Sequence, residues 1–229
     1  MRAMILAAGR GNRLRPLTDT CPKPLIKVCG KQLIVYHLEN LANAGFTDIV
    51  INVRHLGEKI QAFLGNGHSF GVNIEYSVET TELEVGGGIC NALPLLGNEP
   101  FAIVNGDIWT DYPLATLKTK SKGLAFLVLV KNPIHNEKGD FAIIEGNRLI
   151  RHSTLPTYTY CGVSVLHPQL FQEETRGSSF RLAVCLDKAI LQQALYGEIY
   201  QGEWTDVGTI ERLQSLEHSL SFSLSKMNP

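Results

Sequence analysis

Short apolar runs rich in valine and isoleucine alternate with longer amphipathic stretches through the first half of the chain. The runs predict strands, and the stretches between them predict helices at 33–45 and 56–64. This alternation is typical of βαβ units, in which neighbouring strands are parallel. We therefore expect an α/β fold with a mostly parallel central sheet, whose first strands lie at 3–7, 48–53, 72–78 and 100–107.

The second half of the chain has fewer helical stretches between its apolar runs. It shows no internal repeat and no linker long enough to separate two folding units, so a single domain spanning 1–229 is predicted. The elements expected in this half are strands at 123–130, 140–145 and 160–166, a long helix near 181–195, and a final helix after Thr209.

Composition argues against two broad classes of partner. The net charge is −1, which argues against a general affinity for nucleic acid or for membrane surfaces. No run approaches the roughly 18 apolar residues of a membrane span. The five cysteines are scattered without a C-x-x-C pair, so we expect reduced thiols in a soluble cytoplasmic protein. A monomer is the favoured oligomeric state.

One segment broken by glycine and proline, LAAGRGNRLRPLTDTCPKPL at 6–25, collects positive charge. Between residues 10 and 31 there are six Lys or Arg side chains against one acid. Glycines let phosphate groups approach the main chain closely, and Gly9 and Gly11 stand directly after the first predicted strand. A phosphate-bearing ligand is therefore predicted at this loop.

Two side chains of this loop suit phosphate. Arg13 can offer a planar fork to phosphate oxygens, and Lys23 is expected as a point charge on an exposed part of the loop. A dinucleotide fingerprint would need a third glycine where Leu14 stands, and the Gly-Lys-Ser/Thr of a P-loop is missing. A basic surface loop around a structural turn remains the alternative.

Two aspartates are candidates for a metal site. Asp107 ends the predicted strand at 100–107, and open α/β sheets bind ligands at the carboxyl ends of their parallel strands. Asp206 ends a short strand before a helix that Thr209 can cap. Mg²⁺ typically takes one or two protein carboxylates together with phosphate oxygens and waters. The pair therefore predicts a Mg²⁺ site, with a turn or a helix end as the structural alternative for each aspartate.

The segment at 6–25 resembles the signature L-A-A-G-x-G-x-R-x-x-P-x-T-x-x-x-P-K-P-L of the sugar-1-phosphate nucleotidylyltransferases at every specified position. The family's G-D and W-x-D-V-G-T motifs, which supply magnesium ligands, are present at Asp107 and Asp206. The resemblance implies a three-layer Rossmann-like fold with a smaller sugar-binding β subregion. It implies that 1–110 mainly bind nucleotide and 111–229 mainly bind sugar phosphate, with no C-terminal β-helix domain.

The same resemblance implies roles for individual residues. Arg13, Lys23 and Asp107 are expected to be catalytic. The nucleobase of the nucleotide is expected to bind at Glu79 and Gly86. Asn105 and Asp140 match positions that hold the sugar, and Arg181 is a candidate for its phosphate. A hairpin turn at Asp140 and a solvated charge at Arg181 are the alternatives. The residues expected around the nucleotide are Ala8, Gly9, Gly11, Asn12, Arg13, Lys23, Glu79 and Gly86.

Within the family, the motifs E-x-G-G-G-I, VNGD-x-WTDY and GDF are similar to those of enzymes that transfer a uridylyl group from UTP to N-acetylmuramate 1-phosphate in bacterial cell-wall recycling. The implied partners are UTP and a sugar 1-phosphate, with Mg²⁺ as cofactor. Mannose-1-phosphate guanylyltransferase and glucose-1-phosphate uridylyl- or thymidylyltransferase are the alternatives within the family. A non-catalytic nucleotide-sugar sensor and an NAD-linked oxidoreductase are the alternatives outside it.

Overall fold

The computed structural model of the chain describes residues 1–152 and 154–227. The strands are β1 (Ala3–Leu6), β2 (Lys27–Val28), β3 (Lys31–Gln32), β4 (Asp48–Val53), β5 (Asn73–Val78), β6 (Phe101–Asn105), β7 (Ile108–Thr110), β8 (Ala125–Val130), β9 (Phe141–Ile144), β10 (Arg148–Ile150), β11 (Thr157–Leu166), β12 (Leu195–Ile199) and β13 (Trp204–Asp206). The α-helices are α1 (Leu17–Thr20), α2 (Leu33–Asn43), α3 (Gly57–Leu64), α4 (Glu84–Leu96), α5 (Leu182–Leu191) and α6 (Ile210–Met227).

The central sheet has nine strands in the order β5-β4-β1-β6-β11-β8-β12-β10-β9. Four of these strands, β5, β4, β1 and β6, come from the first half of the chain and run parallel to one another. Beyond them β11 runs antiparallel to both β6 and β8, and β9 runs antiparallel to β10 and also to the first residues of β11. The α/β class is confirmed, and the parallel character belongs mainly to the first half.

Side chains on the two faces of the sheet enter two separate apolar clusters. Along β1, Ala3 and Ile5 belong to one cluster together with Leu38 of α2. Met4, between them, belongs to the other together with Ile89 of α4. Strand side chains alternate between faces, so this division shows that helices cover the sheet on both sides. The result is the expected three-layer arrangement.

We call residues 7–26, which carry most of the positive charge described above, the cationic loop. A third, smaller apolar cluster fixes this loop to the C-terminal part of the chain. Leu14 and Ile26 of the loop are buried against Val207, Leu213 and Leu216. Leu213 and Leu216 are three residues apart on α6 and so lie on the same helix face. The conformation of the loop therefore depends on the C-terminal helix as well as on β1.

Several observed elements differ from the sequence prediction, which did not include the short strands β2, β3, β7 and β10. The helix expected at 181–195 ends at Leu191, and the chain then enters β12, a strand that the pattern did not predict. Gly197 interrupts its short apolar run, and the strand is buried by pairing with β8 rather than by local preference. The triple glycine at 86–88, expected before a helix, lies inside the first turns of α4.

Within the parts of the chain that the structure describes, no helix is both long enough and apolar enough to cross a membrane.

Candidate active site

The cationic loop begins at the carboxyl end of β1 and is fixed by two early contacts. The main-chain N–H of Ala7 donates to Asn52 Oδ1 at 2.9 Å. Gly11 has φ of 66°, and its carbonyl accepts a hydrogen bond from Thr18 Oγ1 at 2.9 Å. A Cβ on Gly11 would lie 2.8 Å from Thr18 Cγ2. Positive φ and close packing therefore both favour glycine at this position.

Lys23 and Asp107 meet at the base of this loop. Lys23 Nζ donates to Asp107 Oδ2 at 2.7 Å. The expectation that Lys23 stands on an exposed part of the loop is wrong, because the residue is only 8% exposed. Its ammonium is tolerated inside because it is paired with a carboxylate. Asp107 follows β6, as predicted, and its side chain remains 40% exposed.

A cavity of about 210 Å³ opens above this pair at the carboxyl ends of β1, β4 and β6. We call it the first cavity. Asn52, Arg54 and Leu83 line it although the sequence pattern did not predict them. Gly11, Asn12, Arg13 and Gly86 are not among its lining residues. The predicted residues that do line it are Ala8, Gly9, Lys23, Glu79, Asn105 and Asp107.

A buried polar relay forms one wall of the first cavity. Asn52 Oδ1 accepts from the Ala7 N–H, and Asn52 Nδ2 donates to Glu79 Oε1 at 2.6 Å. Glu79 is only 5% exposed. Burial raises the pKa of the Glu79 carboxyl, and the Asn52 hydrogen bond opposes that shift,. A polar residue in the otherwise apolar run IVINV at 49–53 was the available sequence signal for Asn52.

The three glycines of α4 each allow a close approach. A Cβ on Gly86 would lie 2.5 Å from the Phe180 ring, and one on Gly87 would overlap the Ser178 carbonyl. A Cβ on Gly88 would lie 2.6 Å from Glu79 Oε1. The glycines therefore bring α4 against the segment before α5 on one side and against the polar relay on the other.

A second cavity, of about 500 Å³, adjoins the first. The two share Glu84, Val85 and Asn105 as lining residues. Asp140 and Arg181, both predicted for the sugar phosphate, line the second cavity. Asp140 Oδ2 accepts from the Tyr160 N–H at 2.8 Å, and Oδ1 accepts from Asn136 Nδ2 at 3.3 Å. Besides Glu84 and Val85, the lining residues that were not among the predicted site residues are Phe141, Arg151, Tyr160, Leu182, Ala183 and Leu186.

Asp206 lies in β13, which pairs with β7 so that Asp206 is opposite Ile108. The Val207 N–H donates to the Asp107 carbonyl at 2.7 Å. Backbone pairing thus brings the segments that carry both predicted metal ligands together. The Asp206 carboxylate is held by Arg212 Nη1 at 2.7 Å and lines a neighbouring cavity rather than the first.

The donor chemistry of this aspartate pair fits a hard divalent cation. Carboxylate oxygens are the ligands that Mg²⁺ prefers, and one or two from the protein are usual. In residues 1–152 and 154–227 there is no group of three or more His, Cys, Asp or Glu side chains that could hold a metal ion. An ion held by Asp107 and Asp206 would therefore complete its coordination with phosphate oxygens and water.

His37 of α2 is a buried titratable group near Asp107 that the sequence analysis left out. It is 3% exposed, and its Nε2 has no hydrogen-bond partner among the described residues. Burial lowers the pKa of His37 from 6.5 to about 4, against the opposing effects of Asp107 and the Ile108 backbone. His37 stands four residues after Leu33 and four before Leu41, which was the available signal for its inward position.

Comparison with known proteins identifies the class. Residues 2–221 match the family model described as Nucleotidyl transferase. The chain therefore belongs to the nucleotidyl transferase family, as its resemblance to the loop signature implied.

Two relatives of known activity specify the kind of nucleotidyl transferase more closely. The chain is 45% identical to the N-acetylmuramate alpha-1-phosphate uridylyltransferase of Neisseria meningitidis serogroup B, covering 95% of this chain and 97% of that one. It is 31% identical to a mannose-1-phosphate guanyltransferase of Yarrowia lipolytica, covering 100% of this chain and 66% of that one. These similarities make the chain a sugar-1-phosphate nucleotidyltransferase.

A solved structure supports the fold. It is a Bacillus anthracis protein, assigned as a glucose-1-phosphate thymidylyltransferase and determined in complex with sucrose. The TM-score is 0.83 at 23% identity, with 96% of this chain and 94% of that chain covered. The three-layer architecture is therefore that of a known nucleotidyltransferase fold.

Proposed function

We propose that the protein transfers a uridylyl group from UTP to N-acetylmuramate 1-phosphate, with Mg²⁺, and releases pyrophosphate. The observation that carries this proposal is that a cavity with a polar wall and a largely apolar cavity meet at Asn105. The Lys23–Asp107 pair lines the first of these cavities. A reaction between two bound substrates needs such a junction. The full-length similarity to the Neisseria uridylyltransferase supports the choice of substrates.

The proposed chemistry needs no protein nucleophile. An oxygen of the sugar phosphate forms a bond to the α-phosphorus of UTP, and the bond from that phosphorus to the bridging oxygen of pyrophosphate breaks. The attacking phosphate is already an anion, so no proton has to be removed from it. The protein has to align two negatively charged partners and offset their repulsion.

Specific residues supply that alignment in the proposal. Lys23 lies beside Asp107 at the cavity base and offsets charge at the reacting phosphates, and Arg13 contacts the leaving pyrophosphate. Asp107 and Asp206 would hold Mg²⁺, which when bound neutralises phosphate charge and orients the phosphate oxygens. Glu79, which is fixed by Asn52, and the first turn of α4 face the end of the first cavity that receives the nucleobase.

The second cavity receives the sugar in this proposal. Asn105 contacts the sugar at the junction, Asp140 accepts a hydrogen bond from a sugar hydroxyl, and Arg181 binds the phosphate. We place the reaction in the cytoplasm, in the recycling of peptidoglycan sugars.

A pyrophosphate-release assay with the purified protein tests the function. UTP, N-acetylmuramate 1-phosphate and Mg²⁺ together are expected to release pyrophosphate, and omission of any one of them is expected to stop the release. Absence of release with all three present would contradict uridylyl transfer to this sugar.

The same assay examines the second candidate, mannose-1-phosphate guanylyl transfer, which is supported by the 31% identity to the Yarrowia protein. Faster release with GTP and mannose 1-phosphate would favour that reaction. Release with no combination of triphosphate and sugar phosphate would favour the non-catalytic sensor.

A further inference from the structure

We propose that Arg151 binds the lactyl carboxylate of the sugar substrate and so selects N-acetylmuramate over sugars without this group. The inference rests on the proposed function, because the acid is present only if the substrate is a muramate. N-acetylmuramate differs from N-acetylglucosamine by a lactyl ether at the 3-oxygen of the ring. A site that prefers the muramate therefore needs a cation aimed at that side of the sugar.

Three contacts orient the Arg151 guanidinium at the wall of the second cavity. Its Nε donates to Asp187 Oδ1 at 2.6 Å, and its Nη1 donates to the Asp140 carbonyl at 3.3 Å. The guanidinium carbon lies 4.7 Å from the centre of the Phe141 ring. These contacts fix the plane of the group, whereas Nη2 has no hydrogen bond to a described residue. A planar, pre-oriented guanidinium loses little freedom when it binds a carboxylate.

The position of the ion-pair partner leaves this fork accessible from the cavity. Asp187 is exposed and is not among the lining residues of the second cavity, whereas Arg151 is. The Arg151 side chain therefore contacts Asp187 outside the second cavity and also lines the second cavity itself. The pair contributes little to stability because both side chains are about half exposed, at 44% and 53%,. Its main effect is orientation of the guanidinium.

The second arginine of this cavity stands next to a residue that contacts α4, and α4 carries Glu84 and Val85 of the junction between the cavities. Arg181 directly follows Phe180, whose carbonyl accepts from the Gly87 N–H of α4 at 3.1 Å. Asp187, which holds Arg151, is six residues further along α5, about 9 Å along the helix axis. The junction is where the reacting phosphate must lie, so Arg181 faces the phosphate end of the sugar. In the proposed complex Arg151 lies on the side of the sugar away from its phosphate, within reach of the 3-O-lactyl group.

The remaining lining suits a sugar that carries one distal charge. Leu182, Ala183, Leu186 and Phe141 make much of the wall apolar. Glu84 and Asp140 are the acids that line this cavity. Asp140 has both carboxylate oxygens engaged, by the Tyr160 N–H and by Asn136 Nδ2. Its charge is therefore partly offset locally, and the Arg151 fork remains available to a ligand anion.

Steady-state kinetics of the wild type and of Arg151→Met, each measured with two sugar 1-phosphates, test the inference. We expect Arg151→Met to lower kcat/KM for N-acetylmuramate 1-phosphate roughly tenfold to 100-fold, the range for loss of one charge-assisted hydrogen bond. The same variant should change kcat/KM for N-acetylglucosamine 1-phosphate less than about threefold, because that sugar lacks the acid. Arg151→Lys, which keeps the charge without the fork, should fall between the wild type and Arg151→Met with the muramate.

Arg181→Met is the matched control, because it removes an arginine from the same cavity at its phosphate end. It should lower kcat/KM for both sugars by similar factors. Equal loss with both sugars in Arg151→Met, or no loss with either, overturns the role of Arg151 while leaving the proposed function intact. A wild type that does not distinguish the sugars also overturns it. A wild type inactive with N-acetylmuramate 1-phosphate overturns the proposed function itself, and the inference with it.

Discussion

Lys23 and Asp107 form an ion pair in which the two partners differ in burial: the Lys23 side chain is 10% exposed and the Asp107 side chain is 40% exposed. The ammonium therefore depends on the carboxylate more than the carboxylate depends on the ammonium. A charge that loses its partner is costly when it cannot reach water.

This asymmetry predicts unequal effects on stability. Asp107→Asn is expected to lower the free energy of unfolding by about 2 kcal/mol, because it leaves a buried ammonium without its counter-charge. Lys23→Met should cost less than about 1 kcal/mol, because Asp107 can be hydrated. The double variant should be more stable than the sum of the single effects predicts. Urea unfolding without nucleotide measures all three variants, and a larger cost for Lys23→Met would contradict the asymmetry.

The proposed metal ligands can be tested by binding rather than by turnover. Asp107→Asn and Asp206→Asn are each expected to weaken Mn²⁺ binding to the UTP complex at least about tenfold, because each removes an anionic oxygen donor. Asp111→Asn is the control, since its carboxylate accepts from the Tyr200 hydroxyl at 2.6 Å and is not proposed as a ligand. Calorimetric titration gives the three affinities. If Asp206→Asn behaves like the control, Asp206 is not a ligand.

The glycine closest to the polar relay should control nucleotide affinity. Gly88→Ala places a methyl group 2.6 Å from Glu79 Oε1 and 3.0 Å from Asn52 Nδ2, so the relay must shift. We expect KM for UTP to rise about tenfold, with a smaller change in KM for the sugar phosphate.

Gly71→Ala provides the comparison for Gly88→Ala. Gly71 has φ of 73° and open space around it, so alanine there costs about 1 kcal/mol of stability without touching the cavity,. Steady-state kinetics on both variants separate the two causes. A similar rise in KM in Gly71→Ala would attribute the effect to general destabilisation.

Burial of neutral His37 makes stability depend on pH. Its pKa is lowered to about 4 in the folded protein, from 6.5. The unfolded chain therefore binds the proton first as pH falls, so stability present above pH 6.5 is lost between 6.5 and 4,. At pH 5 the loss from this group amounts to roughly 2 kcal/mol.

His37→Gln removes the titration and keeps a polar side chain. Urea unfolding at about pH 7.5 and about pH 5 should show the wild type losing roughly 2 kcal/mol more than the variant. Other titrating groups, including Glu79 with its raised pKa, are common to both proteins and cancel in the difference. Equal losses would show that His37 is not buried in its neutral form.

Local sequence signals predicted the parallel strands and the residues at their ends. Asn105 and Asp107 follow an apolar run directly, so their place at the sheet edge could be predicted from the run itself. Arg151 could not, because its place in the second cavity depends on β9, β10 and α5, which meet only in the folded chain. The burial of Lys23 was missed for a similar reason: its partner lies 84 residues away.

The main-chain bonds between α4 and the segment before α5 have a mechanical consequence. Gly87 donates to the Phe180 carbonyl and the Phe180 N–H donates to the Leu83 carbonyl, both at 3.1 Å. Because the glycines have no side chains, the main chains of α4 and of the segment before α5 are in direct contact. The wall of the first cavity on α4 and the wall of the second cavity at Arg181 are therefore linked to each other. In the proposed reaction, a triphosphate that shifts α4 would therefore also shift Arg181, so binding of one substrate would change the affinity for the other.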